Sequence, residues 1–215
     1  MRAQLKIDFV SDVSCPWCVI GLKSLEQALG RLGDEASAEL HFQPFELNPK
    51  MPPEGQDISL HLAEKYGASA EQSAQTREMI RARGADVGFR FELAQRDRIY
   101  NTFDAHRLLH WAGLEGRQAR LKHALFEAYF TRGESPASHE VLVRVAGEAG
   151  LDPAAAARVL ASNAYADQVH ERELFYQQQG INSVPAIIIN GRHLISGGQC
   201  ADVFEQALRQ IIKEG

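Results

Sequence analysis

Asp8-Phe9-Val10-Ser11-Asp12-Val13-Ser14-Cys15-Pro16-Trp17-Cys18 is the stretch from which the rest of the chain can be read. Residues 4–11 have strand periodicity: Leu5, Ile7 and Phe9 alternate with Lys6, Asp8 and Val10. Ser11 to Ser14 form a turn cluster. From Pro16 to Leu32 the apolar spacing becomes helical, with Ile20, Leu22, Leu25, Ala28 and Leu29 on one face, and Gly33-Asp34 ends the run. Two cysteines, two residues apart, therefore stand where a strand hands over to a helix.

Working outward, residues 38–46 read as a second strand, so the chain opens β-α-β, a pattern that favours a parallel pair with a right-handed crossover. Residues 48–56 are a loop rich in proline and glycine. From 57 to 165 the pattern is helical, with helices near 57–66, 70–85, 101–113, 116–131, 138–149 and 153–161. The longest strand-like run inside it is Phe89-Arg90-Phe91. A helix over 163–179 follows. Then Val184 to Ile189 read as a buried strand, Asn190-Gly191 as a hairpin turn, Arg192 to Ser196 as its partner and 200–213 as a closing amphipathic helix. The expected class is α/β: a mixed sheet flanked by helices, with a large all-helical insertion. The expected division is one discontinuous domain from residues 1–56 and 166–215, with 57–165 as the inserted domain.

Composition narrows the function classes. The 215 residues include 45% hydrophobic and 24% charged residues, the balance of a chain that can build a packed core. A formal net charge of -5 gives no basic surface for nucleic acid and no attraction to an anionic membrane. No apolar run reaches the ~20 residues of a membrane span, and the charged, alternating N-terminus does not read as a secretion signal. The expected compartment is the cytoplasm. Three cysteines, Cys15, Cys18 and Cys200, do not describe a disulfide framework. In a reducing compartment a close pair is catalytic or metal-binding.

A Cys15 at a helix start would have its thiolate favoured by free N–H groups and the macrodipole. Pro16 suits a first helical turn. Cys18, one turn on, can close a disulfide with Cys15, and Trp17 can cover the pair and offer an apolar surface to a substrate. The chemistry that follows is thiol–disulfide exchange: a mixed disulfide at Cys15, resolved by Cys18. This reading makes Cys15 accessible and Cys18 shielded. An inert structural pair is the plainer alternative. A Cys2His2 zinc site with His106 and His110, spaced i, i+4, is another; packing or surface histidines are the plainer account of that pair, and the expected metal is none. Pro185 has no N–H for a sheet ladder and should mark a strand's first residue, with a cis Val184–Pro185 bond giving a tight loop.

With these residues together, the chain resembles the DsbA-like branch of the thioredoxin superfamily, and within it the FrnE-like dithiol oxidoreductases. The stretches that carry the resemblance are DFVSDVSCPWCVIG, FELNPKMPPEG, NTFDAHRLLHWA and VPAIIINGRHLISGGQ, with the final helix. The resemblance implies a thioredoxin-like fold split by a helical domain. It implies Cys15 as nucleophile, Cys18 as resolving thiol and Pro185 as the cis-proline facing them. It also implies pairing of the Val184 backbone with an extended protein or small thiol substrate, glutathione being a candidate partner. No cofactor beyond the Cys15–Cys18 disulfide is expected. Pro16-Trp17 carries no histidine, which suggests a milder oxidant than the strongly oxidising members. Cys200 departs from the family pattern and reads as a free thiol. The rival is a glutathione-dependent isomerase or transferase of the kappa-class and 2-hydroxychromene-2-carboxylate isomerase type. Those enzymes typically have serine at the place of Cys15 and an Asp-Arg pair where this chain reads Gly198-Gln199-Cys200-Ala201.

Overall fold

The computed structural model describes residues 2–52 and 54–214. Its elements in chain order are β1 (Ala3–Ser11), α1 (Pro16–Leu32), β2 (Ala36–Pro44), β3 (Gln56–Asp57), α2 (Ile58–Tyr66), α3 (Ala70–Asp86) and β4 (Arg98–Ile99). They continue with α4 (Phe103–Leu114), α5 (Gln118–Phe130), α6 (His139–Glu148), α7 (Pro153–Leu160), α8 (Ala166–Gln178), β5 (Ala186–Ile189), β6 (His193–Ser196) and α9 (Ala201–Glu214). The central sheet has the order β2-β1-β5-β6. β1 and β2 are parallel, from Ala3↔Ala36 to Ser11↔Pro44, with α1 as the crossover. β5 runs antiparallel to β1 and β6 antiparallel to β5.

Several boundaries move from those read in the sequence. β2 spans 36–44 rather than 38–46 and ends on Pro44, which cannot continue a ladder. α8 begins at Ala166 because Tyr165 has φ 64°, outside the helical range. β5 begins at Ala186, one residue past Pro185, whose carbonyl accepts from Gly197 N at 2.8 Å.

The segment expected to be all-helical is not entirely so. Arg98–Ile99 pairs antiparallel with Gln56–Asp57 in a separate two-stranded ladder across the expected boundary. Residues 87–97 leave the helical pattern because Phe89 and Phe91 turn inward, with Phe91 edge-on to Phe130 at 5.3 Å between centroids. A helix through this stretch could not put both of these phenylalanines, two residues apart, on one buried face.

Two large packed cores result among the described residues, with a small third cluster of Val10, Tyr176, Ile181 and Ala186. In one, Leu5, Ile7 and Phe9 of β1 meet Leu22 and Leu25 of α1 and Phe204 and Leu208 of α9. Phe91, Phe126 and Tyr129 from the helical segment join this same core. The other gathers Leu108, Leu121, Leu125, Leu142 and Val145, with Val13 from the loop that leads into Cys15. Each such fully buried side chain contributes about 1.5–3 kcal/mol. The cysteine loop is thus pinned at Val13 in one core and at Cys18 in the other.

Candidate functional site

Topology brings the sequence-distant parts of the site together. The β1–β5 register ends at Val10↔Ala186, so the chain just before Ala186 lies beside the chain just after Val10. Cys15 is the N-cap residue of α1 and Pro16 occupies the first helical turn. The Cys15 Sγ–H donates to the Val184 carbonyl at 3.7 Å, and the Val184–Pro185 peptide is cis. Two glycines permit this approach. A Cβ on Gly21 would stand 3.1 Å from Pro185 Cγ, and one on Gly198 only 2.8 Å from the Trp17 carbonyl oxygen. Arg83 of α3 donates to the Gly198 carbonyl at 3.2 Å and ties the helical segment to the same turn.

Cys15, Cys18, Trp17, Val184 and Pro185 therefore meet at one end of the sheet. The expectation that Cys15 is accessible needs correction: Cys15 is 4% exposed, against 0% for Cys18. The Val184 carbonyl lies against its sulfur, and only the order of burial follows the sequence reading. Both thiols are free. Burial, reinforced by the neighbouring Cys15 thiol, pushes the Cys18 thiol well above its ordinary value. Cys200 is exposed, immediately before α9.

Beneath the pair lies a polar network that the sequence did not announce. Asp12 is fully buried and accepts from Leu47 N at 2.8 Å, Ser14 N at 3.2 Å and Ser14 Oγ at 3.0 Å. His106 Nε2 stands 3.4 Å from its carboxylate. Burial alone would raise the Asp12 carboxyl, but His106 and the donated hydrogen bonds outweigh it and hold the group below its usual value. Glu46 is pushed up to about 8 by burial and by the nearby Glu173 carboxylate, which accepts from Glu46 N at 2.8 Å.

Two buried cations come from the helical segment. Arg96 is buried with its guanidinium 5.1 and 5.0 Å from the Tyr129 and Phe130 ring centroids. Lys122 of α5 is 0% exposed, its Nζ 4.9 Å from the Phe126 centroid and 5.9 Å from that of Phe42. Burial lowers its ammonium to about 8, against the opposing pull of Cys18, Asp12 and Cys15. Sequence reasoning missed Lys122, although a signal exists: Lys122, Phe126 and Tyr129 share one helical stripe, so the lysine occupies an apolar position. His106 and His110 do not converge on the cysteines. His106 turns to Asp12, His110 lies 5.2 Å from the Tyr165 ring, and no cluster of three metal-ligating side chains forms among the described residues. No helix among them is long and apolar enough to cross a membrane.

Residues 6–209 match the family described as the DSBA-like thioredoxin domain. The crystal structure of a probable DsbA oxidoreductase, SCO1869 from Streptomyces coelicolor, superposes with a TM-score of 0.92 at 35% identity, covering 98% of this chain and 91% of that one. The uncharacterized protein YwbO of Bacillus subtilis is 26% identical over 211 residues, 97% of this chain and 96% of its own length. A 2-hydroxychromene-2-carboxylate isomerase shares the fold with a TM-score of 0.72 at 15% identity, covering 97% of each chain.

Proposed function

Because this chain belongs to the DsbA-like thioredoxin family, an oxidoreductase family with the thioredoxin-like α/β fold, we propose that it exchanges disulfides with protein or small-thiol substrates through Cys15 and Cys18. One observation carries the reading: a helix-capping cysteine, with a second cysteine one turn later, faces the carbonyl that precedes a cis-proline. Cys15 attacks a substrate disulfide and expels one thiolate. Cys18 then attacks Cys15 and expels the other, leaving the Cys15–Cys18 disulfide and a reduced substrate. The reverse sequence oxidises a substrate dithiol. The Val184 backbone holds the extended substrate, Trp17 covers the pair, and Pro185 shapes the loop. Glutathione is the proposed small-thiol partner. The proposed compartment is the cytoplasm, where an unframed pair of thiols stays available.

The isomerase rival is not favoured. Its fold likeness says nothing of chemistry, since one fold hosts many reactions. This chain carries a thiol at position 15 and a second at 18, the pair that exchange requires and that thiol activation alone does not. The test is reaction of the reduced protein with oxidised glutathione, followed by mass. Cys15→Ser should slow exchange by about a thousandfold or more, the scale of losing a nucleophile. Cys18→Ser should accumulate a glutathione adduct at Cys15. Exchange at the wild-type rate in Cys15→Ser would remove the proposal.

A further inference from the structure

Arg96 is only 8% exposed, and its Nε and Nη1 have no hydrogen-bond partner among the described residues. A guanidinium keeps its charge in proteins and accepts no hydrogen bond, so its N–H groups need oxygens to meet them. Donors left buried and unmet are costly. The Tyr129 and Phe130 rings, 5.1 and 5.0 Å away, offset part of that cost. The two nitrogens stay unmet all the same. Burial disfavours the charge, and Arg77 adds a like charge to the same neighbourhood.

Both arginines line a cavity of about 520 Å3 between α3, the start of α2 and residues 91–96. That volume is in the range of small-molecule sites. The wall carries two carboxylates, and each already has a partner: Glu78 pairs with Arg81 at 2.9 Å, and Glu92 pairs with Arg90. Arg77 and Arg96 are left without a carboxylate among the described residues. Ile58, Phe91 and Leu93 supply an apolar side to the same wall. Cys15, Trp17, Cys18, Val184 and Pro185 are not part of it.

We propose that this cavity binds a small organic acid, with its carboxylate held by Arg96 and Arg77 and its apolar body against Ile58, Phe91 and Leu93. A carboxylate is planar and takes two parallel N–H bonds from one guanidinium, which matches a group with two unmet nitrogens. It also puts one negative charge beside two cations that otherwise repel each other. The apolar side of the wall favours an acid with a hydrocarbon body over a bare anion, because only the former takes that surface out of water. Packing alone does not account for Arg96. An apolar side chain of similar volume would cover Tyr129 and Phe130 without burying a charge. No bond is made or broken at this site, and the inference stands on the cavity without the dithiol reading.

The test is calorimetric titration of the full chain with benzoate, benzamide and acetate. Benzamide keeps the shape of benzoate without its charge, and acetate keeps the charge without the ring. Benzoate should saturate one site and bind at least about tenfold more tightly than either, the worth of one charge-assisted hydrogen bond or one buried apolar group. Arg96→Met should weaken benzoate at least about tenfold. Arg77→Gln should weaken it about threefold, since Arg77 is half-buried and its charge is partly screened. A double variant, Cys15→Ser with Cys18→Ser, should bind benzoate as the wild type does. No saturable binding of benzoate by the wild type overturns the inference, and so does equal binding of benzamide or acetate. Unchanged affinity in Arg96→Met overturns it as well. Loss of binding in the double cysteine variant would place the ligand at the dithiol and overturn it too. Should Arg96→Met not fold, wild-type affinity in Arg77→Gln overturns it equally.

Discussion

Two buried cations sit in neighbouring parts of the helical segment and are treated in opposite ways. Arg107 of α4 is 4% exposed and donates to the Asp104 carboxylate at 2.6 Å and to the carbonyls of Val159, Ser162 and Ala164. It joins α4 to the end of α7 and the turn before α8, satisfying carbonyls that a helix end leaves free. Lys122 of α5 faces the Phe42 and Phe126 rings and has no hydrogen-bond partner among the described residues. The difference separates a cation that the fold pairs from one that it buries without a hydrogen-bond partner among the described residues. The first is fully paired, and removing it leaves its partners stranded. The second has no hydrogen-bond partner among the described residues and is an expense to the fold.

The largest effect on this comparison should come from Arg107→Met. Removing one member of a buried, hydrogen-bonded group costs about 3–5 kcal/mol. Chemical denaturation should register that loss, while the folded fraction exchanges disulfides at the wild-type rate. A stability within about 0.5 kcal/mol of wild type would show that Arg107 is no rivet.

Lys122→Met should act in the opposite direction and by less. The ammonium is lowered to about 8 in the fold from 10.5, so the folded state resists its charge. That penalty is fully present below pH 8 and is relieved as the pH rises from 8 towards 10.5. At neutral pH the variant should melt about 2–4 °C higher, the shift that ~1 kcal/mol produces in a chain of this size. The gain should shrink at alkaline pH. A lower melting temperature at neutral pH would mean that Lys122 stabilises the core after all.

Glu46 gives the smallest and most pH-specific contrast. Its carboxyl rises from 4.5 to about 8, so the fold favours the neutral acid. The stability this gives is complete below pH 4.5 and is lost as the pH climbs through 8. Glu46→Gln keeps the oxygen that accepts from Asn101 Nδ2 at 3.2 Å and removes the charge. Its melting temperature should match wild type near pH 4 and exceed it by about 1–2 °C above pH 8. Equal melting curves at both pH values would show that solvent screens the half-buried carboxylate.

These contrasts also mark what the sequence could and could not reveal. β1, α1 and the β5–β6 hairpin were legible because each pairs a clear apolar period with a terminator: Gly33 after α1, Asn190-Gly191 between the strands. The cysteine pair was legible because its position at a strand–helix junction restricts its chemistry. Residues 87–102 were not, since two inward phenylalanines and a two-residue ladder have no period to read. The burial of Cys15 depends on Val184, separated by most of the chain and delivered by sheet register. Asp12 and His106 looked like an ordinary turn residue and a packing histidine. Their proximity is a property of where α4 docks, which no local pattern encodes.

The central claim, a working dithiol, is tested most directly by equilibrating the protein against reduced and oxidised glutathione and counting free thiols by alkylation and mass. The account predicts one two-electron transition in which Cys15 and Cys18 lose reactivity together while Cys200 is unaffected by their pairing. Its midpoint should fall between about -270 and -120 mV, the span from thioredoxin-like reductants to strong oxidants. Cys15 and Cys18 that stay alkylatable at every poise, or that carry only separate glutathione adducts, would contradict it.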